Sequence, residues 1–425
     1  MANGFSKEER VAFEDILEGF QDALVMSRNV SLYQTDQQMM ERTNNIIWRP
    51  QPYIMVSYTG TDMTSNFKDR TQLAVPATIG FNKSVPWAMT ATELRDALQE
   101  GRLADGARQK LASDINVAIM NVASAQGSLV VPISAAPGKY DHIALADTIM
   151  NEQGVPSNDR YFALSSRDYN GLAADLSGIS RSFGNPKSDR AYERSYVGPV
   201  AGFETYKMDY ANRIAAAAGG AITISTEDAG LNYYNPVATS TAGTGEVSNV
   251  DNRFQTVTVS SSANVVAGDC FTIANVFAVH HITKVNTGQL KTFRVVSVPA
   301  GGTTLVITPP IISNQVANDA AAQYQNVAVT AKSATATITW LNIDPTQINC
   351  FWQKDALEIL PGRYAVPNDA GAAVMRATTD QGIELVMTKQ YDIKTMKTFY
   401  RLDTLFGVVN KNPEMSGVLL FNQVT

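Results

Sequence analysis

Phe254-Gln-Thr-Val-Thr-Val259, Phe293-Arg-Val-Val-Ser-Val298 and Thr304-Leu-Val-Ile-Thr308 are short runs rich in β-branched and aromatic side chains, the composition of strands. Ile222-Thr-Ile-Ser225, Phe271-Thr-Ile-Ala274 and Thr335-Ala-Thr-Ile-Thr-Trp340 add three more such runs, with Gly, Asn and Ser turns between them. All six lie within residues 219–341, a Thr/Ser/Val-rich, charge-poor block that reads as a small antiparallel barrel. The block interrupts a chain of a different kind. Before it stands a helix-like run, Asn212-Arg-Ile-Ala-Ala-Ala-Ala218, and after it mixed patterning resumes at Cys350-Phe-Trp-Gln-Lys-Asp355. A β module is grafted into an otherwise α+β chain.

Outward from that module, residues 6–28 read as an amphipathic helix. Ser6 and Glu9 have capping-box spacing, Phe13, Ile16, Leu17, Phe20 and Leu24 form one stripe, and Glu8, Glu9, Glu14, Asp15, Glu18 and Asp22 supply exposed acid. Residues 48–86 read as a long hairpin, with Ile54–Tyr58 and Gln72–Val75 as strands and a polar tip between them. Residues 90–126 carry the strongest helical period: Thr90 and Glu93 can cap, Gly127 can stop, and Gly101 and Gly106 predict a bend. Such a helix is about 50 Å long, a strut suited to a flat, extended domain. Residues 128–218 read as α/β, with Tyr161-Phe-Ala-Leu-Ser165 a buried strand, Ser165 or Ser166 a helix cap, and Gly178–Ser195 a loop. Asn286-Thr-Gly-Gln-Leu-Lys291 reads as a polar loop, and Met415–Phe421 as a closing strand.

Composition narrows the function. Charged residues make up 17% of 425, against roughly 25% in soluble domains, which suits edges buried against protein. The net charge of −6, without a basic run, argues against phosphate-backbone binding. Cys270 and Cys350 are too few and too far apart for a disulfide framework and fit a reducing compartment. Neither a signal peptide nor an apolar run of membrane length is evident, so cytoplasmic synthesis is expected. Adjacent His280 and His281 would point to opposite faces of a strand and cannot easily share a metal; with His142 they read as satisfied or solvent-facing. P-loop, nucleophile-elbow and zinc-protease motifs are absent from the sequence. Neither an enzyme nor a cofactor is expected. The Thr-rich β module leaves a carbohydrate-binding tail or surface protein as one reading.

Several ordered segments carry a resemblance: Asn44-Asn-Ile-Ile-Trp-Arg-Pro50, Asn121-Val-Ala-Ser-Ala-Gln-Gly-Ser-Leu-Val130, Pro199-Val-Ala-Gly-Phe203, Asn249-Val-Asp-Asn-Arg-Phe254, Asn349-Cys-Phe-Trp-Gln-Lys-Asp-Ala356, Arg401-Leu-Asp-Thr-Leu-Phe-Gly407 and Asn412-Pro-Glu414. Together they span nearly the whole chain, which resembles the major capsid proteins of tailed bacteriophages, within them the P22-type coat proteins of short-tailed phages. The resemblance implies an HK97-like α+β capsid fold with an insertion domain. Residues 1–47 would be an N-terminal arm, 48–86 the E-loop region, 87–135 the peripheral domain with its spine helix, and 136–218 the first part of the axial domain. Residues 219–341 would be the inserted β-barrel and 342–425 the returning axial and peripheral segments.

It also implies function. Copies would assemble as pentamers and hexamers with a scaffolding protein into an icosahedral procapsid, with a triangulation number of seven expected. The shell would take a portal protein, enclose double-stranded DNA without reading its sequence, and mature into the virion head. By the same resemblance, Glu14, Asp15 and Glu18 would bind scaffolding protein. Thr239, Thr241, Thr244 and Glu246 would lie in a loop between capsomers, and Asp62, Lys68, Asp69 and Arg70 at the E-loop tip would contact neighbouring subunits. One departure stands out: the family's loop carries several acids, and here Glu246 is alone.

Overall fold

The computed structural model describes residues 7–33, 46–52, 54–64, 67, 69–90, 92–93, 97–180, 186–224, 233–314, 319–329, 335–365 and 372–424. The chain folds as two compact units. One comprises Met1–Ile47, Ala77–Met120 and Leu357–Val409; the other comprises Trp48–Pro76, Asn121–Ala356 and Asn410–Thr425.

In the first unit, the helix Lys7–Ala23 buries Phe13, Ile16 and Phe20, as its stripe predicts, and Leu24 just beyond it is buried too. The helix Ala97–Gln126 runs unbroken through Gly101 and Gly106, and within this unit it buries Ala107, Leu111, Ile115 and Ile119. Asn116 joins the two helices. Its Nδ2 donates to Ala23 O at 3.1 Å, and its Oδ1 accepts from Met26 N at 3.3 Å, so one side chain serves a carbonyl left free at the end of the helix Lys7–Ala23. Gly19 allows the close approach, because a Cβ there would collide with the Arg108 guanidinium. Ahead of the long helix the capping box forms: Thr90 N donates to Glu93 Oε2 at 2.8 Å, and Glu93 N to Thr90 Oγ1 at 3.4 Å.

The sheet of this unit runs in the order Ser31–Leu32, Leu357–Pro361, Lys397–Asn410, Glu384–Asp392, Ala373–Thr378, with Phe81–Thr90 also on Lys397–Asn410. Phe81–Thr90 pairs along its whole length, from Phe81 opposite Phe406 to Thr90 opposite Lys397. Cross-strand aromatics fix that register: Phe81 stacks on Phe406 at 5.3 Å and Trp87 on Tyr400 at 5.6 Å.

Among the described residues the second unit holds two large sheets, beside the two-stranded one formed by Thr239–Thr241 and Val247–Asn249. One is ordered Leu129–Pro132, Ser416–Leu420, Thr346–Gln353, Arg160–Ser165, Phe203–Met208, with Arg213–Ile214 also on Thr346–Gln353. Phe162, Phe203 and Phe351 fill its core, their centroids 5.4–6.1 Å apart. Ser165 Oγ accepts from Asp168 N at 3.2 Å and caps the helix Ser166–Ser180, as expected. The other sheet has seven strands: Gln255–Thr258, Thr304–Thr308, Asn286–Ser297, Cys270–Val279, Ala336–Trp340 and Thr223–Ile224 in order, with Val327–Val329 on Cys270–Val279. Its ends meet. Ile224 bridges Val259, and Ser260 N donates to Thr223 O at 2.9 Å, so the sheet closes into a barrel around Phe271, Phe293, Val295, Leu305 and Ile307.

Four local expectations change. Asn212–Ala218 is not helical: Arg213–Ile214 is a strand and Ala217 N donates to Asn342 O at 2.7 Å. A run that short, stopped by Gly219-Gly220, cannot offset the cost of helix nucleation. Asn286–Lys291 belongs to a strand, since Leu290 and Asn286 pair with Phe277 and Val279. The Gly178–Ser195 segment contains the end of the helix Ser166–Ser180 and the helix Pro186–Arg194. Ile54–Tyr58 is not a strand; Ala74–Thr78 pairs instead with Ile46–Pro50, and Gln51 N donates to Leu73 O at 2.9 Å.

Gly417 lies where the Ser416–Leu420 strand passes between Leu129 and Phe351, and a Cβ there would strike the Leu129 carbonyl and the Phe351 ring. Gly417→Ala is therefore expected to cost about 1–3 kcal/mol by overpacking, read as a lower urea midpoint for the second unit.

Candidate assembly surfaces

Glu14, Asp15 and Glu18 are exposed on the helix Lys7–Ala23, opposite its buried stripe, and Asp22 extends the row by one turn. Among the described residues no cation lies within ion-pair reach of these four. Glu9, read from sequence as part of the same exposed acid, is not. It is mostly buried and paired with Lys389, and Tyr400 Oη donates to it at 3.3 Å. The acid nearer the helix start thus docks the helix, and the later acids face solvent. The Glu8 side chain and Ser6 lie outside the described residues.

At the tip expected between residues 60 and 70, Asp62 organises a local turn. Its Oδ1 accepts from Thr64 Oγ1 at 2.6 Å and from Thr64 N at 3.0 Å, which holds its carboxyl below the usual range. Asp69 is exposed and Arg70 half-buried; Lys68 lies outside the described residues. Phe67 is 87% exposed and Met55 67%. The root of this segment is firm. Thr71 N donates to Gln323 Oε1 at 3.3 Å, Tyr324 Oη donates to Thr71 O at 3.0 Å, and Leu73 packs with Ile312 and Tyr324.

In the expected inter-capsomer loop, Thr239–Thr241 and Val247–Asn249 form a hairpin whose six strand residues are all exposed. Thr244 and Glu246 lie at its turn, also exposed, where Gly245 takes a φ of +86°. Its base is clamped by Asn252, whose Oδ1 accepts from Val237 N at 3.1 Å and whose Nδ2 donates to Val237 O at 2.8 Å and Val250 O at 3.0 Å.

Sequence reasoning missed one site altogether. Lys291 points out of the barrel and is 1% exposed. Its Nζ donates to Glu414 Oε1 at 2.5 Å and to Gln153 Oε1 at 2.9 Å. Asn326 Nδ2 donates to Glu414 Oε1 at 3.1 Å, and His281 Nε2 lies 3.5 Å from Glu414 Oε2. Burial would raise the Glu414 carboxyl, but Lys291, His281 and the two donors leave it below its ordinary value. Burial pulls His281 down to about 4, against the pull of Glu414. Gln153 and Glu414 stand 138 and 123 residues from Lys291, and only tertiary structure assembles the cluster.

No groups of histidine, cysteine and carboxylates able to hold a metal occur among the described residues. Cys270 and Cys350 are buried free thiols, and burial pushes Cys350 up to about 12. His142 is buried against Phe421 at 5.6 Å. No helix among the described residues is long and apolar enough to cross a membrane.

An α+β chain whose extensions expose unmatched apolar groups and backbone edges is built as a subunit of something larger. Comparison with known proteins is specific: the family model described as P22 coat protein, gene protein 5, matches residues 1–422. The chain belongs to the P22 coat protein family. It is a phage major capsid protein with that family's α+β capsid fold, a structural component of the virion shell rather than an enzyme, and copies of it assemble into the capsid. Among solved structures it is similar to that of Mycobacterium phage Che8, at 9% identity over 93% of this chain and 90% of that one, with a TM-score of 0.46. It is similar to the mature capsid of bacteriophage PhiM1, at 11% identity over 92% and 85%, TM-score 0.43. The CUS-3 coat protein I-domain matches at 38% identity over 29% of this chain and 97% of that one, TM-score 0.21.

The buried cluster makes stability acid-sensitive. An imidazole titrates at 6.5 in the unfolded chain and His281 at about 4 in the fold, so the unfolded state binds more protons between those values and stability falls as pH drops through them. Glu414 adds to the loss, because its contribution is present above the ordinary value of 4.5 and disappears as pH falls through its lower folded value. Urea titrations at pH 7 and pH 4 are expected to differ by up to about 3 kcal/mol from His281, and His281→Gln to flatten the slope between pH 6.5 and 4.5.

Proposed function

We propose that this coat protein assembles in the host cytoplasm with a scaffolding protein into an icosahedral procapsid, which takes a portal, fills with double-stranded DNA and matures. The observation that carries the scaffolding step is the row Glu14, Asp15 and Glu18, exposed together without a cationic partner among the described residues. A row of carboxylates in that state favours a basic segment, and the same charge would keep an inner surface from adhering to packaged DNA. In this reading residues 1–47 serve as the arm, 48–86 as the E-loop region, 87–135 as the peripheral domain and 136–218 with 342–425 as the axial and returning segments. Residues 219–341 serve as the insertion domain. Asp62, Lys68, Asp69 and Arg70 contact a neighbouring subunit, and Thr239, Thr241, Thr244 and Glu246 contact a neighbouring capsomer.

The triple variant Glu14→Gln/Asp15→Asn/Glu18→Gln is expected to keep its unfolding midpoint, since none of the three is buried. Co-expressed with its scaffolding protein, it should lose most closed particles in negative-stain images. Wild-type capture of scaffolding protein should weaken as salt rises above about 0.15 M. Unchanged particle yield in the variant would overturn the assignment of these three residues.

A further inference from the structure

The hairpin Thr239–Thr241/Val247–Asn249 has backbone groups to spare. Its register pairs Thr239 with Asn249, Ser240 with Ser248 and Thr241 with Val247. Val250 N donates to Ala238 O at 3.2 Å and Ala242 N to Glu246 O at 2.8 Å. Hydrogen-bonded pairs alternate with non-bonded ones along an antiparallel ladder, so Ser240–Ser248 is also a bonded pair. The N–H and C=O groups of Thr239 and Thr241 therefore point away from the hairpin on one edge, and those of Val247 and Asn249 on the other. Among the described residues no third strand covers either edge.

Natural edges are usually blunted by lysine, proline or inward charge. Residues 239–249 contain no Lys, Arg or Pro, and Glu246 is their only charge. Two copies of this hairpin brought together therefore cannot form an ion pair with each other; they would meet with carboxylates alone. The outward backbone groups offer pairing instead, and the Asn252 clamp at the base lowers its ordering cost. Of the two edges, Val247–Asn249 carries Asn249, a residue type depleted in strands, and begins beside the charged Glu246. The Thr239–Thr241 edge is uncharged and β-branched at both outward positions.

We propose that the Thr239–Thr241 edge pairs with the same edge of a second copy, antiparallel about a two-fold axis through Ser240, joining two barrels by main-chain hydrogen bonds. Thr239 of each copy exchanges bonds with Thr241 of the other. Ser240 faces its own copy in a non-bonded pair, where side chains approach most closely. An isologous contact of this kind is self-complementary. The inference rests on the reading of this hairpin as a contact between capsomers, and it replaces ionic with backbone bonding there.

Three variants of the full chain, assembled with its scaffolding protein, test it. Ser240→Cys particles, oxidised and run on a non-reducing gel, should show a disulfide-linked dimer, because a non-bonded antiparallel pair brings its Cα atoms to about 4.5 Å, within disulfide reach. Ser248→Cys should not, and the native thiols are buried. Thr241→Pro, which removes an outward N–H that the hairpin itself does not use, should keep the wild-type unfolding midpoint and lower particle yield several-fold. Glu246→Gln should assemble normally. Particles that form without a Ser240→Cys dimer, or that are lost with Glu246→Gln and not with Thr241→Pro, overturn the backbone contact while leaving the capsid reading intact. Failure of the wild-type chain to form particles would instead overturn that reading.

Discussion

The buried contact between Lys291 and Glu414 ties the barrel to the segment leading into the Ser416–Leu420 strand beside it. A lone cation 1% exposed would be prohibitive. Here every nearby group answers it: Glu414 balances the charge, Gln153 accepts a second bond, and Asn326 steadies the carboxylate. The same strand repeats the pattern. Thr292 Oγ1 donates to Ser128 O at 2.8 Å and accepts from Val130 N at 3.3 Å, and Arg294 donates to Ser124 O and, at 3.1 Å, to Gly268 O. The barrel keeps its own apolar core and is attached largely through directional polar groups. Polar contacts contribute less than apolar burial to net stability but constrain geometry closely. That combination holds the barrel in place while it keeps a separate apolar core.

The other surfaces follow a different rule. The row Glu14, Asp15 and Glu18, the segment bearing Met55 and Phe67, and the Thr239–Asn249 hairpin each start from a firmly bonded root and end in exposed groups. Asn116 and Glu9 anchor the first, Thr71 and Leu73 the second, and Asn252 the third. Rigid roots with exposed ends suit a protein that must fold before it assembles, because ordering is largely complete when neighbours arrive. The low overall charge agrees with edges destined to meet protein.

Much of this was legible in the sequence. Runs rich in β-branched and aromatic residues located the barrel strands, because such side chains suit a pleated surface, and the period of Phe13, Ile16 and Phe20 located the helix Lys7–Ala23, because it reports burial on one face. The Thr90–Glu93 and Ser165 caps were legible because their bonds are local. The misreadings came from competition that a sequence does not display. Asn212–Ala218 has helix-favouring alanines, but a strand 130 residues later claims its backbone. Asn286–Lys291 looks like a loop because its exposed residues are polar, although it pairs with Phe277 and Val279. The Lys291–Glu414 cluster had no signature, since a lysine in a Gly-Gln-Leu-Lys run reads as solvated until the fold buries it.

The account holds that these exposed extensions find their partners only in contact with other copies. Hydrogen–deuterium exchange of the free subunit and of assembled shells tests this most directly. The account predicts that amides of residues 55–64 and of the 239–249 hairpin, fast in the free subunit, become protected on assembly, while barrel amides at Phe271, Phe293 and Ile307 exchange slowly in both. Equal exchange of the two segments in free and assembled protein would contradict it.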